Sequence, residues 1–358
     1  MELFILAVKV FVMFNIIMGL ASFCTWFERK GSALIQNRVG ANRAGAYLFS
    51  NNILLKPLFF LLRSLGILGV INTLVCDAVK ALTKEDFVPE GVSTVMHSLA
   101  PFLAVLPIFV AFALIPVAPD FVIGKYTIRP QVASLNAGVL FILAMGSVSV
   151  YGVALAGWCG NNKFALLGAL RAAAQMISYE LAMGIVFVTL ILMYSTLDLY
   201  EMVEWQVQSG WGVIYQPLSF VILFIVGMAE TKRGPFDLPE SESELVAGYF
   251  TEYSGMKFLI FWLGEFAEIA LFALILSILF LGGWSMPFIE FPVGAWWGAL
   301  IGHAFLMGKV IFLCMLQIVI RWTLPRFRYD QLMYLGWKIL LPLSLVNMMV
   351  VAAFKLAL

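Results

Sequence analysis

The sequence predicts an all-α integral membrane protein: a single polytopic domain over residues 1–358 with about eight transmembrane helices, a cytoplasmic-side amphipathic segment and an acidic loop. Three observations predict it. First, 62% of the residues are hydrophobic and only 12% are charged, with a mean hydropathy of +0.97. Soluble domains carry about 25% charged residues, so this chain has too little polar surface to face water on all sides. Second, apolar runs recur eight times, near 3–26, 98–118, 133–157, 173–195, 213–230, 257–281, 298–320 and 336–357. Each approaches the roughly 20 residues that cross a hydrocarbon core of about 30 Å. Third, the basic residues are segregated between alternate connections.

The N-terminal stretch "MELFILAVKVFVMFNIIMGLASFCTWFERK" has no basic leader, and its apolar run exceeds a signal-peptide core, so it reads as a retained first span. Arg29, Lys30, Arg38, Arg43, Lys56, Arg63, Lys80 and Lys84 fall in the first connection. Lys163 and Arg171 fall in the third, Lys232, Arg233 and Lys257 in the fifth, and Arg321, Arg326, Arg328 and Lys338 in the seventh. That is seventeen, against only Lys125 and Arg129 in the even connections. The positive-inside rule then places the odd connections, near 27–97, 158–172, 231–256 and 321–335, in the cytoplasm and both termini outside.

The first connection is long enough to hold structure of its own. "NNILLKPLFFLLRSLGILGV" is apolar but broken by Lys56, Pro57 and Arg63, which favours an interfacial or re-entrant helix whose bases snorkel to the headgroups over a short spanning pair. Beyond it, Val75, Ala78, Val79 and Leu82 share one helical face, with Asp77 beside them.

The fifth connection, "AETKRGPFDLPESESELVAGYFTEYSG", packs six carboxylates into 27 residues. Pro235 and Pro239 stop the preceding helix from continuing. Asp237 and Glu240 fit a helix-start box, from which a short helix would put Glu240 and Glu244 on one face and Glu242 opposite. A solvated loop is the plain alternative, but mixed Pro, Gly, Phe and Tyr argue for packing, and clustered carboxylates that are packed have shifted proton affinities. Further acids lie in or at the ends of spans: Glu28, Glu180, Glu230, and Glu265 with Glu268 three residues on. Intramembrane carboxylates are costly and mark functional sites. Glu28 has an ordinary structural explanation in pairing with Arg29 or Arg38. Lys309 is the one base well inside a span, too few to neutralise the set.

A net charge of +1 gives no reason to expect nucleic acid. Cys24, Cys76, Cys159 and Cys314 stand singly, and His97 and His303 are far apart, so no metal, haem or iron–sulfur ligand set is expected.

Six blocks in order along nearly the whole chain carry a family likeness: "FERK", "QNRVGANRAG", "DAVKALTKED", "NNKFALLGALRAAAQMISYEL", "ETKRGPFDLPESESELVAGYFTEYSG" and "RWTLPRFRYDQLMYLGWK". They resemble the H-type subunit (NADH dehydrogenase subunit 1) family of respiratory complex I. Membrane subunits of energy-converting hydrogenases share a weaker form. The resemblance implies a subunit of a proton-pumping NADH:quinone oxidoreductase, in a bacterial plasma (inner) membrane, that forms a quinone chamber with peripheral-arm subunits. Quinone is the substrate, no flavin or metal is held by this chain, and the iron–sulfur cluster belongs to a partner subunit. Small membrane-arm subunits would link it to the antiporter-like subunits.

By the same resemblance, Glu28, Arg29, Arg38 and Asp77 line or gate the chamber, with Phe236, Asp237, Glu240, Glu242 and Glu244 in its acidic loop. Glu180, Glu230, Glu252 and Glu265 lead charge toward the pumping subunits, and Arg321, Arg326, Arg328 and Asp330 form a structural or gating loop. Two departures affect the chamber mouth. Gly40-Ala41-Asn42 stands where the family has Gly-Pro-Asn, and about 20 residues are inserted between Asn42 and Asp77. A structural anchor for a dehydrogenase or hydrogenase arm, and a self-contained ion antiporter, remain the competing functions.

Overall fold

Proline, glycine and polar residues punctuate the apolar runs, and in the computed structural model the helices break where they do. The structure describes residues 2–40, 67–124, 126–287 and 294–357; most of the region between Asn42 and Asp77 that is expected to carry the insertion, with nearly all of the interrupted apolar stretch, lies outside them. The long helices are α1 (Glu2–Ile35), α2 (Ile67–Thr83), α3 (Thr94–Phe112), α4 (Gly138–Cys159) and α5 (Lys163–Tyr194). They continue with α6 (Leu199–Ser209), a single turn α7 (Gly212–Tyr215) and α8 (Pro217–Glu230). After the acidic loop, which holds only the four-residue α9 (Glu242–Leu245) and a 3₁₀ turn at Gly248–Phe250, come α10 (Gly255–Phe280) and α11 (Trp296–Thr323). The chain closes with α12 (Tyr329–Tyr334), a π-helical turn over Leu335–Leu340 and α13 (Leu341–Ala357).

Among the described residues, seven helical segments are long and apolar enough to cross a membrane, which makes this a multi-pass membrane protein. The fifth run, near 213–230, is shorter than the sequence suggests. Gln216 interrupts it, Pro217 starts α8 at its first position, and 14 residues rise only about 21 Å. A small antiparallel hairpin is the one departure from all-α structure among the described residues: β1 (Phe121–Ile123) pairs with β2 (Tyr126–Ile128), Val122 opposite Thr127.

Helix α10 is the axis of the molecule. Within its apolar window 94% is buried, against 17% for α1 and for the C-terminal segment. Around it pack α1, α3 and α11, and α8 reaches it from the α5 side. Small residues let the helices close: a Cβ on Gly264 of α10 would collide with Val105 of α3. Helix α2 lies across α1 and α10 with Val75, Val79 and Leu82 exposed, so the apolar face read from the sequence is there and points outward.

Candidate functional site

The acidic loop folds into the protein because side chains on α5 and the seventh connection supply what its irregular backbone lacks. Gln175 Nε2, fully buried in α5, donates to Ala229 O at 2.6 Å and Phe236 O at 2.9 Å. Phe236 packs edge-on to Tyr179, with ring centroids 5.8 Å apart, and against Phe327 at 5.4 Å. The Phe327 N–H donates to Pro235 O at 3.0 Å. Gly248, with φ of +61°, turns the chain back against Pro239 and Glu240. That reversal is why the predicted longer helix from Glu240 does not form. Asp237 does not cap a helix either; its carboxylate takes a 2.9 Å hydrogen bond from Arg326 Nη2.

Under this loop lies a closed set of charges. Glu28 of α1 accepts from Arg233 Nη1 at 3.0 Å and from Arg321 Nη1. Arg233 extends its other nitrogen to Glu265 Oε2 at 3.5 Å and lies over the Phe266 ring at 4.2 Å. Glu265 Oε1 accepts from Tyr249 OH at 2.8 Å, and Glu240 lies beside Glu265. Burial works against the Arg233 charge, but Glu28 and Glu265 outweigh it and hold its pKa above the usual value. Burial pushes Glu240 well above the ordinary carboxylate range, and Glu265 and Asp237 push it further. Burial also raises Asp237, against the pull of Arg326 and Arg321. Tyr249 is driven upward by burial and by Glu265, so it stays a hydroxyl donor.

A second set lies deeper. Glu230, 2% exposed, ends α8 with Oε2 unpartnered. Glu180 accepts from the Ser147 hydroxyl across the α4–α5 contact. Lys232 Nζ stands 3.8 Å from Glu268 Oε2 and 5.8 Å from the Tyr249 ring centre, so it lies between the two sets.

The structure thus gathers Glu28, Asp237, Glu240, Glu265, Arg321 and Arg326 into one cluster, with Glu180 and Glu230 nearby. Other expected site residues are not gathered there. Glu28 pairs with Arg233 and Arg321 rather than Arg29 or Arg38. Arg29 instead bonds Asp77 at 2.7 Å on the partly exposed face between α1 and α2, and Arg38 bonds Gln36 at 2.6 Å. Glu244 turns out to Arg171 at 2.7 Å, Glu242 lies in α9, and Arg328 pairs with Asp330 at 3.5 Å in the open. Glu252 sits apart at the α4–α5 corner, accepting from Asn162 Nδ2 at 2.7 Å.

Sequence reasoning left out Arg233, Lys232, Tyr249 and Ser147. Only the two bases had a signal, since they stand directly beside Glu230 in a loop otherwise short of cations.

A helix bundle with a buried acid–base cluster is consistent with several energy-converting complexes. The comparison with known proteins decides among families. The model of the NADH dehydrogenase family matches residues 8–352. The chain belongs to that family. Within it, the chain is 42% identical over 342 residues to an H-type subunit of NADH-quinone oxidoreductase from Geobacter metallireducens, covering 96% of this chain and 94% of the relative. It is 39% identical over 341 residues to the protein of the same name from Cytophaga hutchinsonii, covering 95% and 93%. It is 40% identical over 350 residues to the H-type subunit of NADH-quinone oxidoreductase from Flavobacterium johnsoniae, covering 97% and 94%. The family match spans the loop, the Glu28 helix and the Arg321–Arg326 connection alike.

Proposed function

We propose that the chain is the H-type membrane subunit of a proton-translocating NADH–quinone oxidoreductase, coupling quinone reduction to proton movement through its buried carboxylates. Quinone is the substrate and enters a chamber shared with peripheral-arm subunits, where a partner's iron–sulfur cluster delivers electrons. Small membrane-arm subunits receive the signal. The odd connections face the cytoplasm of a bacterial inner membrane, with both termini outside and the whole chain acting as one polytopic domain. Arg29, Arg38 and Asp77 belong to the chamber rim in this reading, and Phe236, Asp237, Glu240, Glu242 and Glu244 to its responsive loop.

The observation that carries the reading is the continuity of the charges. The Glu28–Arg233–Glu265–Glu240 cluster lies directly beneath the loop, and Lys232 and Glu268 lead from it to Glu230 and Glu180. A unit charge arriving about 4 Å away at an effective dielectric near 20 acts with about 4 kcal/mol, or about three pKa units. Quinone reduction therefore has enough leverage to change which carboxylate of such a cluster holds a proton. Arg321, Arg326, Arg328 and Asp330 then position the loop, and Glu252 supports its far end.

The test uses the assembled enzyme in proteoliposomes. Glu180→Gln and Glu230→Gln should each lower protons moved per quinone reduced by at least about tenfold, in line with the contribution of a positioned acid–base group. Parent-level pumping in both variants would sink the relay. In a separate arm, Asp77→Asn should slow quinone reduction while the partner's cluster is still reduced by NADH.

A further inference from the structure

We propose that Glu268, held by Lys232, is the junction carboxylate that passes the proton from the loop cluster to Glu230, with cavity water as the bridge. The inference rests on the relay reading above and assigns it a residue and a route.

Glu265 and Glu268 are three apart on α10 and share a face, yet they serve different neighbours. Glu265 is occupied by Tyr249, Arg233 and Glu240. Glu268 faces Lys232, both side chains being 6% exposed. On its other side, Glu268 lines a partly open cavity of about 30 Å³ whose wall is otherwise mostly apolar, with Glu230 and Ser149 as its other polar residues. A water needs roughly 10–15 Å³ of such volume and two to four polar partners. The two carboxylates supply them, and Glu230 Oε2 is the buried oxygen with no protein partner. Gly146 and Ser149 of the same lining belong to the helix whose Ser147 hydroxyl donates to Glu180.

Two costs meet at this place without an evident structural return. A buried Lys–Glu pair at 3.8 Å repays little of its desolvation. Lys232 also adopts φ of +54°, a left-handed conformation unusual for a residue with a side chain. Strain concentrated at a charged, buried position points to function.

The step balances in protons alone. The Glu268 carboxylic acid gives its proton to the cavity water, and that water gives one to the Glu230 carboxylate. Glu268 is left ionised against the Lys232 ammonium, which keeps all its protons throughout.

The decisive variant is Lys232→Gln with Glu268→Gln, because it removes both charges and leaves no unpaired buried ion. The measurement is made on the assembled enzyme in proteoliposomes, counting protons per quinone actually reduced. Protons moved per quinone should fall at least about tenfold, and one carboxylic-acid carbonyl band should vanish from the turnover-minus-resting infrared difference spectrum. Pumping at the parent ratio would overturn the proposal, and so would an unchanged band set. Should the double variant fail to assemble, Glu268→Asp keeps the charge and decides the matter: an unshifted carbonyl band overturns the proposal. If Glu180→Gln and Glu230→Gln lose pumping while the double variant keeps it, the relay stands and only the place of Glu268 in it falls.

Discussion

Glu240 is buried beside Glu265 and Asp237 in the folded loop, a setting that favours its neutral acid over its carboxylate. The pKa of Glu240 in the folded loop is raised above its unfolded value, mainly by burial, with Glu265 and Asp237 adding to it and Arg233 opposing. The folded loop therefore binds protons more tightly than the unfolded chain. Its contribution to stability is complete below the unfolded value near 4.5 and is lost as pH climbs through the raised one. The expected outcome is a thermal midpoint that falls as pH rises above the ordinary carboxylate range, with Glu240→Gln flattening the slope; a variant with the parent's slope would contradict the raised proton affinity of Glu240. The sequence showed that these acids, once packed, would have shifted proton affinities, but not which residues they would meet. Glu28 finds Arg233 and Arg321 at separations of 205 and 293 residues, and no local spacing encodes such partners. Asp237 and Glu240 suggested a local cap by their spacing, but the long-range Arg326 contact and the Glu265 contact prevailed.

At the scale of elements, hydropathy and basic-residue placement marked every long helix, because in lipid each spanning backbone must satisfy itself. The signal failed where tertiary contacts substitute for helix. The acidic loop reads as a helix start but keeps only four α-helical residues, since Gln175 and Phe327 satisfy its backbone from outside. Lys309 shows the same logic in reverse. The mid-span base looks like a transport residue, yet its ammonium donates to Leu281 O at 2.6 Å, Gly283 O at 2.9 Å and Ser285 O. It thereby caps the C-terminus of α10, where carbonyls lack helical partners, and it lies 4.9 Å from the Trp211 ring centre. Lys309→Met should destabilise the subunit by about 2–4 kcal/mol, as several buried carbonyls lose a charged donor. Differential scanning fluorimetry and limited proteolysis at residues 281–287 would show it. The fraction that assembles should still pump at the parent ratio; lost pumping with intact stability would give Lys309 a part in proton movement beyond this capping role.

Across the whole molecule, the proposed coupling requires the acidic loop to seat closely on the helices beneath it. The seat is a contact between two glycines. A Cβ placed on Gly168 of α5 would lie 2.8 Å from Gly248 Cα and 2.9 Å from Tyr249 N. Both are backbone atoms, so nothing there yields by a side-chain rotation. Tyr249 is also the donor to Glu265 and the ring facing Lys232, so lifting the turn would separate the loop cluster from the deeper acids while leaving every carboxylate in the chain. Gly168→Val should cost about 1–3 kcal/mol as an overpacked contact and lower protons moved per quinone although no titratable group has changed. Gly184→Ala on the same helix, where nothing lies within 4 Å of the new Cβ, should leave both the midpoint and the pumping ratio at parent values. If Gly168→Val pumps normally despite a lowered midpoint, the loop's seating is structural only, and charge must reach Glu230 by a route that does not pass Tyr249 and Lys232.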